Sequence, residues 1–179
     1  MKELIEILAA MASKRDEVDN PLELFLDVAD RVVKAVCGQF GTKTDEVAIL
    51  MSTSDGKHLR FAAPRKFADL GTIPVTKRDS IAVGILGKKT GEAMNNVPMV
   101  KHVAFFESVK LRDRAVPIQK MITVPMLDGE KAVGVAQISR KGENPAEAGP
   151  DFTADDLKKV QELFEEVGPY LVATRPDRF

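Results

Sequence analysis

The stretch that decides the fold is residues 121–139, which read MITVPMLDGEKAVGVAQIS. Asp128-Gly129 lies between two apolar runs, and this arrangement is among the strongest short-range signals of a β-hairpin. Because side chains alternate across a strand, the odd-numbered residues 133–139 are predicted to share one face. A polar side chain among apolar neighbours needs a hydrogen-bond partner, which makes Gln137 the residue of most interest.

A second hairpin is predicted earlier in the chain. The apolar runs 47–51 and 58–63 flank the turn residues 54–57, which include a further Asp-Gly pair. Shorter extended segments are predicted at 73–76 and 93–97. Together with the helical patterns around them, these strands indicate an α+β domain.

Two helices are predicted before the first hairpin. Residues 2–15 carry apolar side chains at helical spacing. Asn20 is a typical N-cap, and Pro21 suits the first helical position. Glycines at 38 and 41 are expected to end this second helix.

Further helices are predicted in the second half of the chain. Ser80 is expected to cap a short helix that ends at Gly87 or Gly91, and residues 98–112 have a helical pattern. Thr153 is expected to cap the last helix, in which Pro169 should cause a kink or an end.

Composition excludes several functions. The 179 residues include 26 basic and 27 acidic side chains, so no overall charge attracts nucleic acid. No apolar run approaches the roughly 18 residues of a membrane span, and no signal-peptide layout is present. The single cysteine, Cys37, fits a reducing compartment, which predicts a cytoplasmic protein.

Three motifs, in this order, resemble the GAF family of sensor domains. Residues 80–92 contain Ile-Ala followed by Thr-Gly-Glu, and residues 124–138 contain Val-Pro-Met, Asp-Gly and Val-Gly-Val. Residues 152–156 read Phe-Thr-Ala-Asp-Asp, which is similar to the family's entry to its last helix. The resemblance covers roughly residues 20–172.

The resemblance implies a GAF-like fold, of the kind shared with PAS and profilin-like domains. Its six-stranded antiparallel sheet carries the terminal helices on one face and a ligand-pocket lid of short helices on the other. Residues 1–19 would form an N-terminal amphipathic helix, 20–172 the domain, and 173–179 a C-terminal tail.

The resemblance also implies a pocket for a non-covalent small molecule. The candidate ligand-binding residues are Phe61, Ile81, Ala82, Phe105, Phe106, Arg114, Ile118 and Gln137. Each of these residues also has an alternative role in the fold alone. Apolar residues at these spacings pack in the core, and runs of charged residues lie on solvated surfaces.

The sequence lacks the complete residue sets for phosphate-loop, haem or zinc binding. The glycine-rich run 84–90 resembles a phosphate-binding loop with Gly87 as the second glycine of the motif. The first glycine of the motif would then fall at position 82, where the chain has Ala82, so the motif fails. His102 alone is a poor haem ligand candidate, and two histidines with one cysteine match no zinc pattern.

The family branch that reduces free methionine sulfoxide uses several cysteines, so no catalytic residue is predicted. The family's cyclic-nucleotide motif is half present, since Phe152 and Asp156 match it and Leu157 does not.

We therefore expect a cytoplasmic sensor domain that binds a small molecule without catalysis. It would pair as a homodimer through its terminal helices and pass its signal to a separate output protein. The alternative is a dimerisation or interaction module with a vestigial pocket. The apolar stripes of the terminal helices can serve such an interface or cover the chain's own sheet.

Overall fold

The computed structural model describes residues 1–68, 71–99 and 116–179. These residues form one antiparallel sheet of six strands in the order β3-β2-β1-β6-β5-β4. The strands are β1 (Val47–Ser52), β2 (His58–Ala63), β3 (Thr72–Pro74), β4 (Glu92–Met94), β5 (Ile118–Asp128) and β6 (Lys131–Lys141). The predicted six-stranded sheet is confirmed.

The β5–β6 hairpin forms where the Asp-Gly pair predicted it. Asp128 pairs with Lys131, and Gly129 takes a left-handed φ of 58° at the turn. A register irregularity between Met126 and Leu127 then leaves an extra residue on β6. Val133 consequently packs in the core on the helix side of the sheet. Its predicted place on the face of Val135 and Gln137 is wrong, because the bulge interrupts the alternation.

In the described part of the chain, four α-helices accompany the sheet: α1 (Lys2–Ala12), α2 (Pro21–Phe40), α3 (Ile81–Lys88) and α4 (Ala154–Thr174). The predicted caps are confirmed. Asn20 Oδ1 accepts a hydrogen bond from Glu23 N at 3.1 Å, and Gly41 closes α2 with a φ of 63°. Thr153 and Asp156 form a reciprocal capping box at the start of α4.

The end of α3 differs from the prediction. The helix stops before Lys89, which itself adopts the left-handed conformation with a φ of 57°. The backbone N–H of Lys89 donates to Ile85 O at 2.9 Å, and Lys89 Nζ donates to Glu130 O at 2.6 Å. These tertiary and capping bonds hold a conformation that a lysine adopts only at a cost.

Helix α4 continues through Pro169 to Thr174, so of the two predicted effects of this proline, the end of the helix is excluded. The missing N–H of a proline costs one helical hydrogen bond. Val167 and Leu171, on either side of it, are fully buried in the core. The burial of these two apolar side chains outweighs the loss of one helical hydrogen bond at Pro169.

One core lies between the sheet and helices α1, α2 and α4. Leu8 of α1 and Val160, Phe164 and Val167 of α4 are almost fully buried in it. The apolar stripes of both terminal helices are therefore used within the chain. Phe179, in the predicted tail, is also buried, and its ring lies 4.9 Å from that of Phe25.

The loop between β6 and α4 is held at several points, although its polar Gly/Pro composition predicts mobility. Lys120 Nζ lies 2.8 Å from Asp151 Oδ1, and the Arg140 guanidinium stacks 4.2 Å from the Phe152 ring centroid. Asn95 adds two hydrogen bonds to the backbone of Phe152, at 2.8 and 2.9 Å. Within the three described stretches, no helix is long and apolar enough to cross a membrane.

Candidate functional site

The candidate site lies on the face of the sheet opposite the terminal helices. A second apolar cluster covers this face, with α3 packed against it. Its buried members are Ala48, Leu50, Leu59, Phe61, Phe67, Ala82, Val83, Ile85, Val97, Ile118, Met121 and Val135. The sheet therefore carries two separate cores, and only this one includes residues of α3.

Gln137 is a buried polar side chain on this face, together with Thr123 and Ser139. Its side chain is 2% exposed, and its Nε2 donates to Thr123 Oγ1 at 3.3 Å across the β5–β6 pair. Its Oε1 has no hydrogen-bond partner among the residues that the structure describes. The Thr123 hydroxyl can donate or accept, so either orientation of the amide leaves one polar atom unpaired. Such an atom costs about 1–3 kcal/mol when buried.

A small cavity adjoins the Gln137 side chain. It leaves about 10 Å³ for the centre of a water-sized molecule, which is room for about one water. Its lining consists of Asp45, Glu46, Val47, Ala48, Ile118, Met121, Gln137, Ser139 and Lys141. The cavity has apolar walls of strand residues and a charged mouth, and the Gln137 amide lies between them.

The charged groups at the mouth bind one another. Lys141 Nζ donates to the Asp45 carboxylate at 2.9 Å and to the Asp45 carbonyl at 2.6 Å. The Glu46 carboxylate accepts from the backbone N–H groups of Lys43 and Lys141, at 2.8 and 3.0 Å. Ser139 Oγ donates to Glu46 O at 3.0 Å. Each of the charged side chains at this mouth therefore has hydrogen-bond partners within the described residues.

The pKa of the Asp45 carboxyl lies below its ordinary value. Burial alone raises this pKa, and the hydrogen bond and charge of Lys141 lower it by more, with a further contribution from Lys66. Asp45 is therefore ionised at neutral pH and holds Lys141 in place.

The structure brings the described candidate residues together. Phe61 lies in the cluster with its ring 5.5 Å from that of Phe67, and Ala82 is fully buried there. Ile81 packs at the edge of the cluster, and Ile118 lines the cavity with Gln137. The remaining candidates, Phe105, Phe106 and Arg114, and also His102, lie outside the described residues.

Sequence reasoning missed Thr123, Met121 and Ser139. Counting back from the Asp-Gly turn does not identify Thr123 as the partner of Gln137. A regular hairpin would have paired Thr123 with Ala136, and the bulge shifts the pairing to Gln137.

Phe152 and Cys37, which were weighed in the sequence, have structural surroundings. The Phe152 ring, from the half-present nucleotide motif, stacks against the Arg140 guanidinium. Burial is the main cause of the raised pKa of the Cys37 thiol. Among the described residues, no group of three His, Cys, Asp or Glu side chains is placed to hold a metal ion.

Comparison with solved structures identifies the fold. A GAF domain of a phosphoenolpyruvate-protein phosphotransferase from Coxiella burnetii superposes with a TM-score of 0.63, over 94% of this chain and 92% of that one, at 9% identity. The fold is that of a GAF domain. Residues 122–287 of a methyl-accepting chemotaxis protein give a TM-score of 0.61 over 92% of this chain and 96% of that chain, at 13% identity.

The GAF fold also occurs in an enzyme. Free methionine-R-sulfoxide reductase from Neisseria meningitidis, solved with its substrate, superposes with a TM-score of 0.57 at 15% identity, over 96% of this chain and 90% of that chain. No model of a protein family matches this sequence, and no curated protein matches it. At these identities the comparisons establish the fold alone.

Proposed function

We propose that this chain is a cytoplasmic sensor domain that binds a small molecule, without covalent attachment, on the face of the GAF fold that carries Gln137. The observation that carries this proposal is the Gln137 amide, which lines a cavity, is almost fully buried and has one polar atom without a hydrogen-bond partner in the described part of the chain. A ligand that pairs this atom would remove the cost of burying it. The likeness to a chemotaxis protein supports a role in signalling.

Native mass spectrometry of the purified protein tests ligand binding. We expect excess mass that disappears when the same sample is denatured. Gln137→Leu should lose this mass while remaining folded, because leucine fills the space without a polar group. Gln119→Leu is the matched control, because the amide of this second buried glutamine donates to Gly142 O, away from the cavity. Retention of the mass by Gln137→Leu would place the ligand elsewhere.

We further propose that the domain has no catalytic activity. Cys37 is the only cysteine, and a raised thiol pKa lowers the fraction of reactive thiolate. Incubation with free methionine-R-sulfoxide and dithiothreitol should release no methionine beyond a protein-free control. Turnover that Cys37→Ser abolishes would contradict this proposal.

The second candidate function is an interaction module with a vestigial pocket. The cavity beside Gln137 holds only about one water, whereas a groove of about 970 Å³ lies between α1, α2 and α4. Leu4 and Leu163 contribute apolar surface to this groove, and Lys159 and Glu166 of α4 contribute opposite charges. In an antiparallel pair of α4 helices, Lys159 of each copy can meet Glu166 of the other, so the occupant would be a second copy of this chain.

A further inference from the structure

We propose that the turn of residues 65–67 couples the two faces of the sheet, so that a change in packing on the candidate-site face reaches the first turns of α2 on the other face. The turn is a short 3₁₀ helix (Arg65–Phe67) that follows β2. This inference rests on the proposed sensor function, because it names the route by which an occupied site would alter the helix side.

The turn lies where the sheet has an edge. Strand β3 pairs only with residues 58–60 of β2, so no described strand pairs with the outer side of residues 61–63. The chain can therefore pass from one face of the sheet to the other at this end. Arg65 extends to α2 on the helix side, and Phe67, two residues later, is buried in the cluster of the opposite face.

On the helix side, Arg65 binds three carboxylates of α2. Its Nε donates to Asp30 Oδ2 and its Nη1 to Glu23 Oε1, each at 2.6 Å, and its Nη2 donates to Asp27. The three acids are spaced by four and three residues, so they lie on one side of the helix. Separate donors of one planar group fix its orientation, which the single ammonium group of a lysine cannot do. We refer to Arg65 and these carboxylates as the Arg65 clamp.

On the candidate-site side, Phe67 contacts a candidate ligand-binding residue. Its side chain is 2% exposed, and its ring packs edge-to-face on that of Phe61, with 5.5 Å between the centroids. Phe67 N donates to Pro64 O and Ala68 N donates to Arg65 O, both at 2.9 Å, so the turn is closed by its own backbone. A ligand that displaces the Phe61 ring would therefore move Phe67, and the turn would carry this movement to Arg65.

Helix α2 connects the Arg65 clamp to the groove between the terminal helices. Ala35 and Gln39, near the other end of α2, line that groove. A packed helix carries a displacement along its length as a single element. A change at the clamp would therefore reach the surface on which a partner would bind.

Amide hydrogen exchange of the whole chain tests the coupling. In Phe67→Leu, we expect the backbone amides of residues 25–31 to exchange at least about fivefold faster relative to those of β1 and β6. In an Arg65→Lys background the same change should add less than about twofold, because the link is already broken. Ile85→Val is the matched control, because it also removes buried volume from the cluster, at α3, and should raise exchange uniformly.

The reverse direction is tested from the exposed side of α2. Coupling between two sites is reciprocal, so Asp27→Asn should shift the ring proton signals of Phe67. The Asp27 side chain is about half exposed, so the fold tolerates the change. Lys34→Gln, at an exposed position of the same helix outside the Arg65 clamp, is the control and should leave these signals unchanged.

Three results would overturn this inference. The first is an equal effect of Phe67→Leu in the wild-type and Arg65→Lys backgrounds, and the second is a uniform rise in exchange in Phe67→Leu. The third is unchanged Phe67 ring signals in Asp27→Asn. None of these measurements uses a ligand, so they are independent of the native mass spectrometry that tests the sensor proposal. Bound mass together with any of the three results would overturn the coupling and leave the sensor proposal standing.

Discussion

At the scale of single residues, Gly134 is the point where strand β6 has no room for a side chain. A Cβ atom there would lie 2.6 Å from the Leu50 carbonyl oxygen and 2.7 Å from the ends of Met51 and Met126. The carbonyl belongs to the paired backbone of β1 and cannot withdraw. This contact gives a physical reason for the glycine in the Val-Gly-Val motif.

Gly134→Ala is therefore expected to lower the free energy of unfolding by about 1–3 kcal/mol through overpacking. Urea denaturation at neutral pH measures the loss. Gly84→Ala is the matched control, because no described residue outside α3 lies within 4 Å of the place where its Cβ would be. That change should stabilise the protein by about 0.5–1 kcal/mol through helix propensity. Equal effects of the two substitutions would contradict the steric argument.

Gln137→Leu is expected to leave the free energy of unfolding within about 1 kcal/mol of the wild-type value. The variant loses the hydrogen bond to Thr123 and also removes the unpaired amide atom, so the two effects largely offset each other. Denaturant unfolding checks this expectation. A loss of several kcal/mol would mean that Gln137 serves the core, and the ligand role would lose its support.

The sequence predicted that Gln137 shares a strand face with apolar neighbours, and the structure buries its side chain there. Alternation along a strand is a local geometric property, so the pattern is readable from β6 alone. Its hydrogen-bond partner was not readable, because a bulge in the hairpin changed the pairing of the two strands. The ligand role of Gln137 remains a prediction.

At the scale of elements, the start of α4 depends on the ionised Asp156. The carboxylate accepts from Thr153 N at 2.8 Å and from Thr153 Oγ1 at 2.9 Å. The backbone hydrogen bond is the main cause of a lowered Asp156 pKa, which burial opposes. A carboxyl with a lowered folded-state pKa stabilises the fold above its unfolded pKa of about 4 and loses this contribution as the pH falls further.

Asp156→Asn should therefore be less stable than the wild type at pH of about 7, by roughly 0.5–1 kcal/mol. The difference should shrink below a pH of about 4, where the wild-type carboxyl takes up its proton. Urea denaturation of both proteins across this range measures it. A difference that does not change with pH would show that the charge of Asp156 is irrelevant to the cap.

Pro169→Ala tests the continuity of α4. The proline side chain is exposed, so its removal leaves no cavity, and the new N–H can donate to Glu165 O. We expect stabilisation by about 1–2 kcal/mol, because the gain in helix propensity is partly offset by a more flexible unfolded chain. The midpoint of thermal unfolding reports the change. A lower midpoint would mean that the fold requires the proline geometry.

At the scale of the whole molecule, the groove between α1, α2 and α4 is the surface on which a second copy would bind. If two chains pair there with antiparallel α4 helices, Lys159→Glu or Glu166→Lys alone should weaken the dimer by bringing like charges together. The double variant should restore it. Sedimentation equilibrium measures the dissociation constants, and Lys158→Glu, outside the groove lining, is the control. A monomer at all concentrations would remove the dimer proposal.

The ends of the described chain belong to the fold. Leu8 and Phe179 are both buried in the helix-side core, and Arg15 contacts Asp177 at 2.6 Å. The division into residues 1–19, 20–172 and 173–179 stays a prediction. Short segments at chain ends carry little local signal, and only their packing partners determine their place.

By itself, the sequence determined the two hairpins, the caps at Asn20 and Thr153, and the order of elements that resembles a GAF domain. These features depend on turn chemistry, capping and periodicity, which act over a few neighbouring residues. Only the tertiary structure decided the bulge opposite Met126, the left-handed Lys89 and the passage of α4 through Pro169. Local preferences at such positions amount to about 1–3 kcal/mol each, and the burial of several apolar side chains outweighs them.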